Sequence, residues 1–283
     1  MAKLLWSPAT PGHIVYLIDL SGSMGKSSSM GKRIDYTIDV LHTVLRRIRN
    51  RCIKGGGKVS EKLSFTIIGY NYKAVEIWKN YSVLEMAKKS IAQERNNIPI
   101  FDKEKSIDEK GFKPEYQTCM RLAFEAAKKD IEEWLSKQQK SNILTPAPVV
   151  INITDGEPYE GDDKTWEQVS KETLQAAYDL MNIVTPDGKV RLFNIHHNPD
   201  IGRSAQVFPS IRPSHPVEQF LFDASSEMDE ATLESAKSYG FSVSQGSHCV
   251  AYNEKDPSFL VKLIEFGSSE APSNLKNSDG SYF

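Results

Sequence analysis

The stretch DLSGSMGKSS, residues 19–28, contains residues suited to two different chemistries. Asp19, Ser21 and Ser23 place three oxygen-bearing side chains at alternate positions, which suits a hard divalent cation. Gly25-Lys26-Ser27 instead resembles the end of a loop that binds phosphate through its backbone amides. The first interpretation predicts a metal site and the second predicts a nucleotide hydrolase.

The spacing of the glycines excludes the phosphate loop. The motif is G-x-x-x-x-G-K-[ST], so a loop ending at Gly25-Lys26-Ser27 requires glycine at position 20, where the chain has Leu20. A second candidate, Gly31-Lys32, is followed by Arg33 and has Lys26 where the first glycine belongs. Without that glycine the loop loses the tight turn that directs successive amides at phosphate.

Two further oxygen donors follow later in the chain. Thr118, in YQTC, opens a predicted helix, and Asp155, in VINITDGEP, ends a predicted buried strand. Because the carboxyl ends of parallel strands meet at one edge of a sheet, we expect both residues near Asp19. Each of these residues, taken alone, also has an ordinary structural interpretation. Asp19 and Ser21 could cap the following helix, Thr118 could be an N-cap, and Asp155 could belong to a turn. The combination favours the metal site.

The elements that position these residues alternate between strand and helix. Apolar runs predict buried strands, and apolar residues at three- and four-residue spacing predict amphipathic helices. The strands are expected at 13–20, 63–71, 73–78, 147–155 and 189–197, and the helices at 35–51, 82–95, 118–140, 164–184, 229–240 and 257–267. This order predicts an α/β fold with a doubly wound, mainly parallel central sheet flanked by helices.

The same pass along the chain predicts one domain with irregular segments. Residues 1–11 are expected to be an N-terminal extension, 12–267 the domain, and 268–283 a disordered tail. Within the domain, residues 96–117 are polar and irregular, and residues 198–227 are rich in Pro and Ser. We expect a long loop in the first segment and a surface insertion in the second.

Composition narrows the class of protein. The 283 residues include 35 basic and 37 acidic side chains, so a net charge of −2 creates no field that would favour nucleic acid. No apolar stretch reaches the ~20 residues of a membrane span, and no signal peptide is recognised, so no membrane partner is expected. Three widely spaced cysteines predict free thiols in a reducing compartment, and hence a cytoplasmic location.

Three segments together resemble the von Willebrand factor type A (VWA) domain. They are VYLIDLSGSM, TCMRLAFEAA and VVINITDGEP, in this order, and the resemblance covers roughly residues 12–267. The family's metal-ion-dependent adhesion site is written Asp-x-Ser-x-Ser…Thr…Asp. All five positions are present here, as Asp19, Ser21, Ser23, Thr118 and Asp155. The chain resembles a stand-alone, intracellular member with a Rossmann-like fold.

The resemblance implies a role for each of the five residues. Ser21 and Ser23 would bind the metal directly, and Thr118 would bind it directly when a partner is present and through water otherwise. Asp19 and Asp155 would act mainly through waters and hydrogen bonds. The implied cation is Mg²⁺, with Mn²⁺ or Ca²⁺ as alternatives, and a Glu or Asp of a partner protein would complete its coordination.

The expected function is therefore that of a metal-dependent adaptor with no catalytic or cofactor-binding residues. An ATPase, kinase or phosphatase system is the kind of partner that the resemblance implies. Two alternatives stay open, a metal-dependent hydrolase and a module in which the metal only stabilises the loops. No nucleophile–base pair is visible in the sequence, and His196 and His197 are interpreted as structural because no Cys, Asp or Glu stands beside them at ligand spacing.

Overall fold

The computed structural model describes residues 4–28, 31–94, 117–197, 204–253 and 256–269. The predicted loop at 96–117 lies outside the described residues except for Gln117, and so does the predicted tail from residue 270 onward.

Seven strands form one sheet in the order β6-β7-β5-β4-β1-β2-β3. They are β1 Gly12–Asp19, β2 Leu63–Tyr70, β3 Ala74–Ser82, β4 Val149–Thr154, β5 Arg191–His196, β6 Gln206–Val207 and β7 Val250–Tyr252. The neighbouring pairs from β7 to β2 are parallel, whereas β3 and β6 pair antiparallel at the two edges. The predicted α/β fold with a mainly parallel sheet is confirmed.

Helices cover both faces of this sheet. They are α1 Arg33–Cys52, α2 Val83–Glu94, α3 Met120–Lys140, α4 Trp166–Met181, α5 Pro216–Asp223, α6 Glu230–Ser238 and α7 Pro257–Gly267. Along β1 the side chains alternate: Tyr16 and Ile18 join the apolar cluster under α1 and α7, and Val15 and Leu17 join the cluster under α3 and α4. No helix in the described part of the chain is both long and apolar enough to cross a bilayer.

A buried polar network holds α3 against the sheet. The Nε2 atom of His13 on β1 lies 2.8 Å from Oδ2 of Asp130 on α3, and the Thr66 hydroxyl on β2 donates to Asp130 Oδ1 at 3.0 Å. The His13 ring also stacks on Trp134 of α3, with ring centroids 4.9 Å apart. Buried polar groups need partners of this kind, so the network fixes the middle of α3 against β1 and β2.

The segment predicted as a surface insertion, residues 198–227, contributes to the fold in its described part. β6 pairs with β7, and α5 buries Phe220, Leu221 and Phe222. This helix was not predicted, because eight residues are too few to display a helical period and the surrounding Pro and Ser residues hid it. The three-residue strand β7 was missed for the same reason.

The fold also extends past the predicted limits of the domain. Trp6, in the predicted N-terminal extension, is buried in the apolar cluster that contains Ile14. Ser268, at the start of the predicted tail, is buried as well, and its hydroxyl lies 2.7 Å from the Tyr16 hydroxyl. Both terminal segments therefore belong to the packed structure as far as it is described.

The contact between Trp6 and β1 gives a stability prediction. A Cβ atom added at Gly12 would lie 2.7 Å from the Trp6 indole, so we expect Gly12→Ala to lower the free energy of unfolding by about 1–3 kcal/mol. Gly55→Ala is the control, because a Cβ there meets open space. Urea denaturation measures both. In a Trp6→Ala background the Gly12→Ala cost should largely disappear; an unchanged cost would contradict this account.

Candidate functional site

The Asp19 carboxylate joins the ends of two neighbouring strands. Its Oδ1 atom accepts a hydrogen bond from the backbone N–H of Ser21 at 2.8 Å, and its Oδ2 atom accepts one from the Thr154 hydroxyl at 2.7 Å. Asp19 ends β1 and Thr154 ends β4, which pair side by side in parallel. Asp19 therefore shapes the loop after β1 and anchors it to β4, and both of its oxygens are already engaged by protein donors.

A chain of hydrogen bonds runs from this loop to Asp155. The hydroxyl oxygens of Ser21 and Ser23 lie 2.9 Å apart, and the Ser23 hydroxyl donates to Asp155 Oδ1 at 2.8 Å. Since Ser23 gives its one proton to Asp155, Ser21 must be the donor of the pair. The structure thus brings Asp19, Ser21, Ser23 and Asp155 together, although Asp155 is more than 130 residues from Ser23 in the sequence.

Thr118 lies at the same edge of the sheet but outside this chain of hydrogen bonds. Its backbone exchanges two hydrogen bonds with Tyr159, of 2.8 and 3.0 Å, and the next amide, of Cys119, donates to the carbonyl of Asn71 just after β2. Among the described residues, the Thr118 hydroxyl makes no hydrogen bond with the other four predicted side chains. The helix begins at Met120 without a side-chain cap, so Thr118 does not cap it.

Arg33 is the residue that the sequence analysis missed. Its guanidinium donates to Asp155 Oδ2, and both side chains of this ion pair are buried. Arg33 opens α1, where the helix dipole disfavours a cation. Because the helix was expected to begin at residue 35, this mismatch was not visible in the sequence. Because of the ion pair, the charge of Asp155 is already compensated within the protein.

Burial controls the ionisation of two residues at this edge. Complete burial, with a further contribution from the nearby Asp155 carboxylate, raises the pKa of Asp19 to about 7. Burial lowers the pKa of His196, at the end of β5, to about 4, so the ring is neutral at neutral pH. His197 is buried too and stacks on Tyr36 with ring centroids 4.7 Å apart, in keeping with a structural role.

The donor atoms fit a hard cation in chemistry. The hydroxyl oxygens of Ser21 and Ser23 and the carboxylate of Asp155 are of the kind that Mg²⁺ takes in proteins. They include one acidic side chain, and no group of three or more His, Cys, Asp or Glu residues suited to a metal occurs in the described ranges. A cation held here would therefore be bound by few charged ligands, and it would share Asp155 with Arg33.

Other residues near this edge have partners that explain them. Glu160 is paired with Arg121 at 2.9 Å and with Lys164 at 2.8 Å, so the acidic segment after Asp155 is partly neutralised. The thiols of Cys52, Cys119 and Cys249 are buried, and no disulfide joins any two of them.

Comparison with known proteins shows the fold and no finer relationship. No family model and no curated protein sequence matches the chain. Among solved structures, the PilB minor pilin of Streptococcus sanguinis is similar in fold, with a TM-score of 0.51, 12% identity, and coverage of 92% of this chain and 61% of the pilin.

Proteins described as von Willebrand factor type A are also among the similar structures. The one from Catenulispora acidiphila has a TM-score of 0.43 and 12% identity, and the match covers 92% of this chain. The von Willebrand factor domain of the type V pili tip protein Mfa5 from Porphyromonas gingivalis has a TM-score of 0.33 and 14% identity over 53% of this chain. The chain spans 42% and 39% of these two proteins, respectively.

The raised pKa of Asp19 predicts how stability depends on pH without divalent cations. Between about pH 4 and pH 7 the folded protein keeps a proton on Asp19 that the unfolded chain releases, so this group lowers stability as pH rises. We expect its contribution to reach the order of 4 kcal/mol by pH 8, and Asp19→Asn to remove it. Urea denaturation in EDTA from pH 4 to pH 8 measures the difference between the two proteins.

Comparing wild type with Asp19→Asn separates the effect of Asp19 from that of groups that make stability rise with pH. His196, whose pKa is lowered by burial, makes stability rise with pH from about pH 4 to the pKa of a free histidine, in both proteins. Asp39→Asn, at an exposed position of α1, is the matched control and should keep the wild-type profile. Identical pH profiles for wild type and Asp19→Asn would show that Asp19 is ionised in the folded protein throughout.

Proposed function

We propose that this protein is a metal-dependent protein-binding module, with Mg²⁺ held at Ser21, Ser23, Thr118 and Asp155 and with Asp19 organising the loop. The observation that carries the proposal is the chain of hydrogen bonds from Ser21 through Ser23 to Asp155 at the carboxyl edge of the parallel sheet. It gathers hydroxyl and carboxylate oxygens from two separate loops in one place. Open α/β sheets bind their ligands at this edge.

The few charges around the proposed site explain why it would bind a protein. Asp19 has both oxygens engaged by Ser21 and Thr154, and Asp155 is paired with Arg33, so neither carboxylate is fully available to neutralise a divalent cation. When bound, such a cation supplies a strong electrostatic attraction for one more anionic oxygen. We infer that a Glu or Asp side chain of a partner protein provides that oxygen.

The proposal includes a cytoplasmic setting and no catalytic activity of the chain itself. An ATPase, kinase or phosphatase system is the partner class that the motif resemblance suggests. A metal-dependent hydrolase at the same site and a purely structural metal are the competing proposals. The structure offers no observation that favours either of them over a binding module.

Metal binding is tested directly with Mn²⁺, whose paramagnetism enhances water proton relaxation when it is bound. We expect wild type to bind Mn²⁺ in competition with Mg²⁺, and the Ser21→Ala/Ser23→Ala double variant to bind it at least about tenfold more weakly, because two ligands are lost. Asp39→Asn is the control. Equal Mn²⁺ binding in the double variant and wild type would place the metal elsewhere. Thermal unfolding of each metal-free variant verifies that it is folded.

The adaptor role is tested by affinity capture from the native lysate on immobilised protein. We expect a partner that is retained in Mg²⁺, lost in EDTA, and absent on the Ser21→Ala/Ser23→Ala variant. A partner retained equally in all three cases would contradict the metal-bridged interface. Hydrolysis of p-nitrophenyl phosphate that requires Mg²⁺ and both serines would favour the hydrolase instead, and Mg²⁺ that raises the unfolding temperature without any metal-dependent partner would favour the structural module.

A further inference from the structure

A second feature of the carboxyl edge is an open cleft of about 500 Å³ beside Asp155. It lies where β4, β5 and β7 end and where α4 and α5 begin, and its lining includes Asp155, Glu157, Trp166, His196, Glu218 and Asn253. Asp155 therefore borders both the cleft and the proposed metal site.

Asn253 leaves an unsatisfied acceptor in the lining of the cleft. The residue is 2% exposed, and its Nδ2 atom donates to Glu218 Oε1 at 3.3 Å. Among the described residues, its buried Oδ1 atom has no hydrogen-bond partner, and neither do the buried Nδ1 atoms of His196 and His215, which also line the cleft. A buried polar atom without a partner costs free energy, roughly 1–3 kcal/mol, which a bound hydrogen-bond donor would recover. The lining is thus prepared for a ligand that donates hydrogen bonds.

The full negative charges of the lining favour a cationic donor, against the partial positive charges at the starts of α4 and α5. Glu157 and Glu218 contribute carboxylates, and Asp155 contributes a third that is paired with Arg33. No Lys or Arg is among the described residues that line the cleft. A cation in the cleft would face acidic side chains and an amide oxygen together. An anionic ligand would meet repulsion from the same groups.

The aromatic side chain in the lining favours a guanidinium over an ammonium ion. Trp166, which is partly exposed at the start of α4, presents an aromatic side chain to the cleft. A guanidinium is planar, stacks on aromatic faces and carries five N–H donors, so it can combine stacking on an aromatic ring with several hydrogen bonds to acceptors in the lining. An ammonium ion is a compact point charge that lacks this stacking face.

We propose that the cleft beside Asp155 binds an arginine side chain of the partner protein. The proposal rests on the proposed function, because that partner is the one whose Asp or Glu meets the metal. Since Asp155 borders both places, the acidic residue and the arginine must lie close together on the partner surface. The partner is then recognised by a pair of opposite charges rather than by one carboxylate alone, which gives the interface an orientation.

A peptide selection tests the pair. Immobilised wild-type protein in Mg²⁺ is offered nine-residue peptides with one fixed Asp and all other positions random. We expect selected peptides to carry Arg at one fixed distance from the Asp. Glu218→Gln should reduce that Arg enrichment about tenfold while Mg²⁺-dependent selection of the Asp persists. Glu234→Gln, at an exposed position of α6, is the matched control and should select as wild type does.

The outcomes separate the two proposals. Mg²⁺-dependent selection of Asp without Arg, or with Lys enriched equally, would overturn the arginine site and leave the proposed function standing. If Asp is not selected at all, the proposed function fails, and the cleft is judged by a direct measurement with N-acetyl-arginine amide. That probe should shift the Trp166 indole N–H resonance of wild type in EDTA, with an affinity about tenfold weaker in Glu218→Gln; no shift, or the same shift with the lysine amide, would overturn the site.

Discussion

The buried carboxylate of Asp155 is the constraint on which the carboxyl edge of this protein depends. A charge removed from water must be paired and hydrogen-bonded, and here one oxygen receives the Ser23 hydroxyl while the other receives the Arg33 guanidinium. Asp155 follows β4, Ser23 lies in the loop after β1, and Arg33 opens α1. One carboxylate therefore fixes three segments relative to one another, and Asp19 separately anchors the loop after β1 to β4.

A row of polar side chains beneath this edge links it to α5. The Tyr70 hydroxyl on β2 donates to Asn152 on β4, Asn152 donates to Asn194 on β5, and Asn194 donates to Ser225 after α5, at 2.9, 2.8 and 2.9 Å, respectively. These side chains are fully buried, so each depends on the next to satisfy its hydrogen bonds. The row ties the position of α5, which carries Glu218, to the strands that carry Asp19 and Asp155.

If the site binds Mg²⁺ as proposed, Arg33 limits how tightly the cation is bound. A guanidinium and a divalent cation on one carboxylate repel each other, so the metal would be bound less tightly than at a carboxylate-rich site. Because few negatively charged groups would surround the bound cation, it would still attract a carboxylate of the partner. If the cleft on the other side of Asp155, with Glu157 and Glu218, binds an arginine as proposed, it would take a positive charge from the partner. One edge of the sheet would then bind a negative and a positive side chain of the partner side by side.

The long elements and most of the candidate residues could be predicted from the sequence, because they depend on local pattern. Apolar runs and helical spacing predicted the long strands and helices, and the position of Asp19, Ser21, Ser23 and Asp155 after strands predicted that they would meet. The partners of these residues and the short elements near them became visible only in the tertiary structure. The Arg33–Asp155 pair spans 122 residues, and α5 and β7 are too short to show a period. That the Asn253 Oδ1 atom has no partner among the described residues is seen only once those residues are placed around it. Such features arise from contacts between distant segments, and no local pattern encodes them.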